Sequence, residues 1–331
     1  MNSLDLLTLP VDHYQRYRAA AEIANQIKDL LDLPRLRVLD VGGFSPMPWG
    51  QAIAPLVSFL PHDYVITVDL ATETLPNYVQ ASGLALPFDD KAFHLVVSCD
   101  TLEHIPPRHR SSFVEELLRV AGHCLALIAP FDSEQNRQAE RILHEYLTRK
   151  GITCRPLEEH LENGLPSLEN LEAMLSERGL AVEHFADGYL PNWLTMSLVT
   201  FTPGQSQAFH KSLNRCYNQH LSPGDRRVPA YRRVVLVAQP GNETLVPLLV
   251  NALQLKDPMP ISSELAFASG LCDALLLTQP SASEVPVRLG ALEAENARLR
   301  ALIADYERGR FMRSMRWLHQ LRGRLGKRPR V

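Results

Sequence analysis

With 331 residues, 45% of them hydrophobic and 21% charged, the chain has room for one α/β domain of about 200 to 250 residues plus an appendage, and a second enzyme domain would be cramped. A formal charge of -3 argues against a nucleic-acid binder. No apolar run approaches the roughly 18 residues of a membrane span, and no basic flank or cleavage pattern follows Met1, so a cytoplasmic protein is expected.

In chain order, residues 11–32 place Tyr14, Tyr17, Ala21, Ile23, Ile27 and Leu30 at helical spacing. Short β-prone runs without polar alternation follow near 36–41, 64–69, 78–82, 93–98 and 123–129, with helical periods between them. Such runs are parallel strands covered on both faces, and their alternation with helices predicts a doubly wound α/β sheet. Ser167 as cap and Gly179 as stop bracket an amphipathic helix before a sixth strand near 181–186. Residues 188–231 read as an insertion, apolar and aromatic at first, with Phe209, Leu213 and Tyr217 on one helical face. It would cap an acceptor pocket, form a dimer contact or simply pack in the core. The domain is expected to end near residue 240, after a last strand at 234–238.

Residues 241–288 form a linker region with helices predicted near 243–254 and 262–277. From Leu289 to Tyr306 a heptad seam broken by Asn296 predicts a short coiled coil and a homodimer, with a surface helix as the alternative. Residues 311–331 then combine an apolar helical face with many arginines, a pattern suited either to an anionic membrane surface or to a solvated basic end. The five cysteines, odd in number and widely spaced, suggest neither a disulfide framework nor a zinc site, and no metal is expected.

Ligands of such a sheet sit beyond the carboxyl ends of the strands. Asp40, Asp69, Ser82 and Asp100 all fall at strand ends. The turn Gly42-Gly43-Phe44 lacks the spacing of a dinucleotide loop, and the carboxylate of Asp40 beside it would repel a phosphate but welcome an ammonium or sulfonium. Asp69, about 25 residues on, can accept from both hydroxyls of a ribose.

The ordered set L-R-V-L-D-V-G-G, V-I-T-V-D-L, A-S-G-L-A-L-P-F and C-D-T-L-E-H resembles the class I S-adenosylmethionine-dependent methyltransferases. The resemblance spans residues 11–240 and implies a seven-stranded Rossmann-like sheet closed by an antiparallel hairpin. It implies that Asp40, Gly42 and Gly43 hold the methionine end of the cofactor, Asp69 and Leu70 the ribose side, Ser82 and Gly83 the adenine, and Cys99 and Asp100 the far wall. Phe44 stands at the family's second glycine, and Ser82 where an adenine-reading Asp is common. His104 and Asp100 are the candidate bases for a hydroxyl acceptor, His104 having the more suitable ordinary pKa.

Segments E-H-L-E-N-G-L-P and W-L-T-M look like those of methyltransferases found with glycosyltransferases of bacterial surface polysaccharide. This implies a glycan or lipid-linked sugar as acceptor and glycosyltransferase partners, and the basic tail, on an anionic surface, would place the chain at the inner face of the membrane. A methyltransferase-like scaffold and a quinone or other small-molecule methyltransferase are the alternatives.

Overall fold

The computed structural model describes residues 4–46, 52–202, 204–254, 267 and 297–298. The chain divides into two compact units, Met1–Leu276 and Leu277–Val331. Apart from residues 267 and 297–298, the predicted coiled coil, the basic tail and the helix near 262–277 lie outside the described residues.

The first unit is built on seven strands: β1 Arg37–Val41, β2 Tyr64–Asp69, β3 Tyr78–Gln80, β4 Phe93–Cys99, β5 Ala121–Pro130, β6 Ala181–Tyr189 and β7 Ala230–Ala238. Their order across the sheet is β3-β2-β1-β4-β5-β7-β6. The first five are parallel, and β7 runs antiparallel between β5 and β6. This is the methyltransferase-type Rossmann-like sheet with its closing hairpin.

Each strand sends alternate side chains to opposite layers. Val38, Leu95, Val97, Ala126 and Leu236 meet helix α1 (Val11–Leu30) on one face. There Ala20, Ala24 and Ile27 are completely buried, and the small alanines let the helix lie close. Leu39, Val96, Leu125 and Val235 meet Phe113 and Leu117 of helix α3 (Arg110–Val120) on the other. Full burial of each large aliphatic side chain contributes about 1.5–3 kcal/mol. Between these helices in sequence comes the five-residue α2 (Pro55–Phe59).

Helices α4 (Glu134–Lys150), α5 (Arg155–Asn163) and α6 (Leu168–Glu177) follow β5. Ser133 and Ser167 cap α4 and α6 by accepting the backbone N–H three residues on, at 3.1 and 3.2 Å. Helix α9 (Leu245–Leu253), in the stretch read as a linker, buries Leu245 and Leu249 in the α1 layer. No described helix is long and apolar enough to cross a membrane.

The insertion is shorter than the sequence suggests, because β6 runs on to Tyr189 and β7 starts at Ala230, paired Tyr189 to Ala230. It holds α7 (Leu190–Thr200) and α8 (Gln207–His220). Its apolar residues pack inside the chain. The Trp193 ring stacks on Tyr231 with centroids 3.6 Å apart, and Phe209, Leu213 and Tyr217 bury against Val11 and Met196. Asp225, beyond α8, accepts from Gln15 Nε2 and the Tyr217 hydroxyl, both at 2.5 Å, and from Asn192 at 2.9 Å. That one carboxylate joins α1, α7 and α8.

Candidate active site

The carboxyl ends of β1, β2, β3 and β4 bring Asp40, Asp69, Ser82 and Cys99 to one edge of the sheet. Asp40 is fully buried, and neither of its oxygens has a hydrogen-bond partner. Burial pushes its carboxyl up to about 7. A buried, unpartnered carboxylate beside a chain turn is what a ligand ammonium or sulfonium would satisfy.

Gly42 makes the turn with φ +80, and a Cβ there would meet Thr101 Oγ1 at 2.2 Å. Only glycine allows the turn to lie this close to the chain leaving β4. A Cβ on Gly43 would strike the Asp40 carboxylate at 2.1 Å, so that side chain packs directly beneath the turn.

Asp69 accepts from the backbone N–H of Phe44 and of Ala71, each at 3.2 Å. These bonds join the β1 turn to the β2 end, and a carboxylate retains further lone pairs for two hydroxyls. The neighbouring Leu70 is 71% exposed, an apolar face at the strand end. Ser82 Oγ accepts from Leu84 N–H at 3.2 Å and shapes its own loop. Gly83 lies against α3, where a Cβ would meet the Phe113 ring at 2.4 Å. Phe44, in place of the second glycine, sets its ring edge-on to Tyr78 at 6.4 Å. The orphaned Asp40, the close glycine turn, the half-free Asp69 and the bare Leu70 fit the methionine, ribose and adenine parts of S-adenosylmethionine.

As a base, Asp100 is a correction to the sequence reading. Its carboxylate receives Arg232 Nε at 2.7 Å, Arg232 Nη2 at 2.6 Å and Arg16 Nη1 at 2.6 Å. Burial would raise this acid, but the guanidiniums of Arg232 and Arg16 hold it down at about 2. A carboxylate so occupied does not take a proton from an acceptor near neutrality. Cys99 is a buried thiol, pushed well above its ordinary range by burial. Arg16 and Arg232 were missed because one lies on a helix read only for its apolar spacing and the other just before an apolar strand.

His104 lies in the loop after β4. Its Nδ1 is 2.9 Å from Glu159 Oε2, and its Nε2 is 3.5 Å from Nε2 of His160, both partners being on α5. Burial and the nearby His160 lower its pKa, favouring the neutral ring. Glu103 beside it is fully buried.

A cavity of about 400 Å³ opens at the carboxyl end of β5, between the first turns of α4 and α6. Asp132, Ser133, Asn136, Arg137, Ser167 and Arg233 line it. Asn136 Oδ1 is buried without a partner, while its Nδ2 is fixed by the carbonyls of Phe131 and Tyr231 at 2.8 and 2.9 Å.

A family model for a methyltransferase domain matches residues 50–123. No curated protein matches the sequence. Among solved structures, YcgJ of Bacillus subtilis is 15% identical, covering 66% of this chain and 97% of its own, with a TM-score of 0.40. The plantazolicin methyltransferase BpumL, in complex with a triazolic desmethyl analogue and SAH, is 9% identical with a TM-score of 0.42, covering 70% and 86%. Magnesium protoporphyrin IX methyltransferase from Synechocystis PCC 6803, with bound SAM, is 13% identical with a TM-score of 0.36, covering 68% and 79%. These likenesses are distant, and the fold assignment rests on the strand order instead. The strand order gives the chain the methyltransferase-type fold, and residues 50–123 match a methyltransferase domain.

Proposed function

We propose that the chain is an S-adenosylmethionine-dependent methyltransferase that acts on a hydroxyl of a glycan or lipid-linked sugar in cell-surface polysaccharide synthesis. The observation that supports this acceptor class is the cavity at the end of β5. Hydroxyl, amide, carboxylate and guanidinium side chains line it, groups suited to pair with sugar hydroxyls. An apolar quinone would leave these groups unpaired. The segment 159–166, part of the resemblance to the polysaccharide-linked branch, ends at this cavity, where the Pro166 carbonyl accepts from Asp132 N–H at 2.9 Å.

S-adenosylmethionine, when bound, supplies an electrophilic methyl group on a sulfonium. The rest of the work falls to the chain. Asp40 faces the positive methionine end, Asp69 takes the ribose hydroxyls, and Leu70 offers an apolar surface for adenine. Orientation of an acceptor at the cavity supplies much of the rate, because an in-line displacement depends chiefly on holding the reactants at attack distance. Incubating the protein with methyl-labelled cofactor and a panel of oligosaccharides, lipid-linked sugars and quinols tests the acceptor class. Label in the quinol fraction alone would overturn the glycan reading.

A second reading, a methyltransferase-like scaffold, draws its support from Phe44 at the glycine position and the ring contact it makes with Tyr78. A scaffold would leave every acceptor unlabelled.

A further inference from the structure

Two imidazoles and one carboxylate converge where β4 leads into its loop and α5 passes above. Glu103, His104 and His160 each turn one donor atom to a common point, all within 4.8 Å of one another. The orientation of the rings is imposed from behind. His104 Nδ1 lies 2.9 Å from Glu159 Oε2, and His160 Nδ1 lies 2.8 Å from Glu140 Oε1. Glu140 is itself fixed by the Tyr231 hydroxyl at 2.8 Å.

An ionised carboxylate only accepts, so each Nδ1 must carry the hydrogen. The neutral rings then present two bare Nε2 lone pairs to each other at 3.5 Å. Glu103 adds a carboxyl oxygen to the group. It is fully buried, neither oxygen has a hydrogen-bond partner, and Oε1 stands 3.9 Å from His160 Nε2. Three ligand atoms of the types that bind transition metals, turned toward one another, can share a cation. Two histidines whose outer nitrogens are held by carboxylates are the usual support around a bound metal ion.

We propose that Glu103, His104 and His160 bind a divalent transition-metal ion of the zinc class, with Glu140 and Glu159 as orienting partners. Bonds of 2.0–2.1 Å give an edge of about 3.3 Å in a tetrahedron; the two nitrogens, 3.5 Å apart, lie near it, and Glu103 Oε1, 3.9 Å from His160 Nε2, would move in on binding. Three protein ligands leave the fourth position open. The side chains of Glu103 and His160 are 1% and 9% exposed, whereas His104 is 27% exposed, so solvent reaches the site on the His104 side. The ligands lie on two elements far apart in sequence, so no short spacing motif announced them. The expectation of no metal came from the cysteines, which take no part.

The site stands without the methyl-transfer reading, and its test needs no cofactor. Full-length protein freed of metal by chelation is titrated with zinc by calorimetry, then with cobalt, whose visible absorption reports a tetrahedral environment. One equivalent of zinc should bind, with the intense cobalt bands of a tetrahedral site. Glu103→Gln and His160→Gln should each weaken zinc by roughly 100-fold or more, and Glu140→Gln by roughly 10- to 100-fold. Circular dichroism of each variant separates lost ligation from lost folding, and the half-exposed His104→Gln supplies a ligand change that disturbs the core less. Failure of the wild type to bind stoichiometric zinc would overturn the proposal. So would binding unchanged in the folded ligand variants. S-adenosylmethionine titrated into the same chelated protein reports separately on the cofactor reading.

Discussion

Arg232 reaches from β7 to the end of β4 and places Nε and Nη2 on the two carboxylate oxygens of Asp100, at 2.7 and 2.6 Å. Arg16 of α1 completes the cluster, so the antiparallel hairpin, the central parallel strands and the first helix are joined by one acid. Removing its charge strands two guanidiniums, one of them almost fully buried. Asp100→Asn is expected to cost about 3–5 kcal/mol of stability. Urea unfolding measures this, and a loss below about 1 kcal/mol would mean that the arginines find other partners.

The β1 turn makes a sharper prediction. Gly42→Ala places a methyl on Thr101 in a backbone conformation unfavourable to alanine, and should lower both stability and cofactor affinity. Adding Thr101→Ala removes the two shortest contacts, leaving Cβ at 3.0 Å and a conformational penalty of about 1–2 kcal/mol. Equal stability of the single and double variants would show that Thr101 is not what confines the turn.

Asp40 sets a pH dependence. Its pKa is raised on folding from an ordinary 3.8 to about 7, so the folded state holds the proton more tightly. Stability from this group is therefore present below about pH 4 and lost as pH rises to about 7. A bound sulfonium or ammonium favours the ionised form. Affinity for S-adenosylmethionine should accordingly rise roughly tenfold between about pH 6 and about pH 8, with a much flatter profile in Asp40→Asn. Parallel profiles would remove Asp40 from the cofactor site.

Within the insertion, Trp193→Ala opens a cavity beside Tyr231 and should destabilise the protein by about 3–5 kcal/mol, read by thermal unfolding. A neutral effect would mean that the α7 surface serves something outside the chain.

The central strands were legible because Val38, Val96 and Leu125 belong to apolar runs that only a doubly covered sheet can bury. The strand ends were less so. In β6 and β7 the pairing continues through Asp187 opposite Arg232 and Ala186 opposite Arg233, where polarity suggests a loop although the ladder is intact. Asp40 and Asp69 could be located in sequence because each ends such a run. The partners of Asp100 could not, since Arg16 and Arg232 are 84 and 132 residues away. Likewise, only the packing of α5 brings His160 to His104.

The claim that these strand ends form a cofactor site is tested most directly by calorimetric titration of S-adenosylmethionine, or its demethylated product, into the wild type and Asp69→Ala. Loss of hydrogen bonds to a charged acceptor, at about 1.5–3 kcal/mol, predicts saturable binding by the wild type and a fall of roughly 10- to 100-fold or more in the variant. No heat of binding to the wild type at about millimolar ligand, or equal affinities in the two proteins, would contradict it.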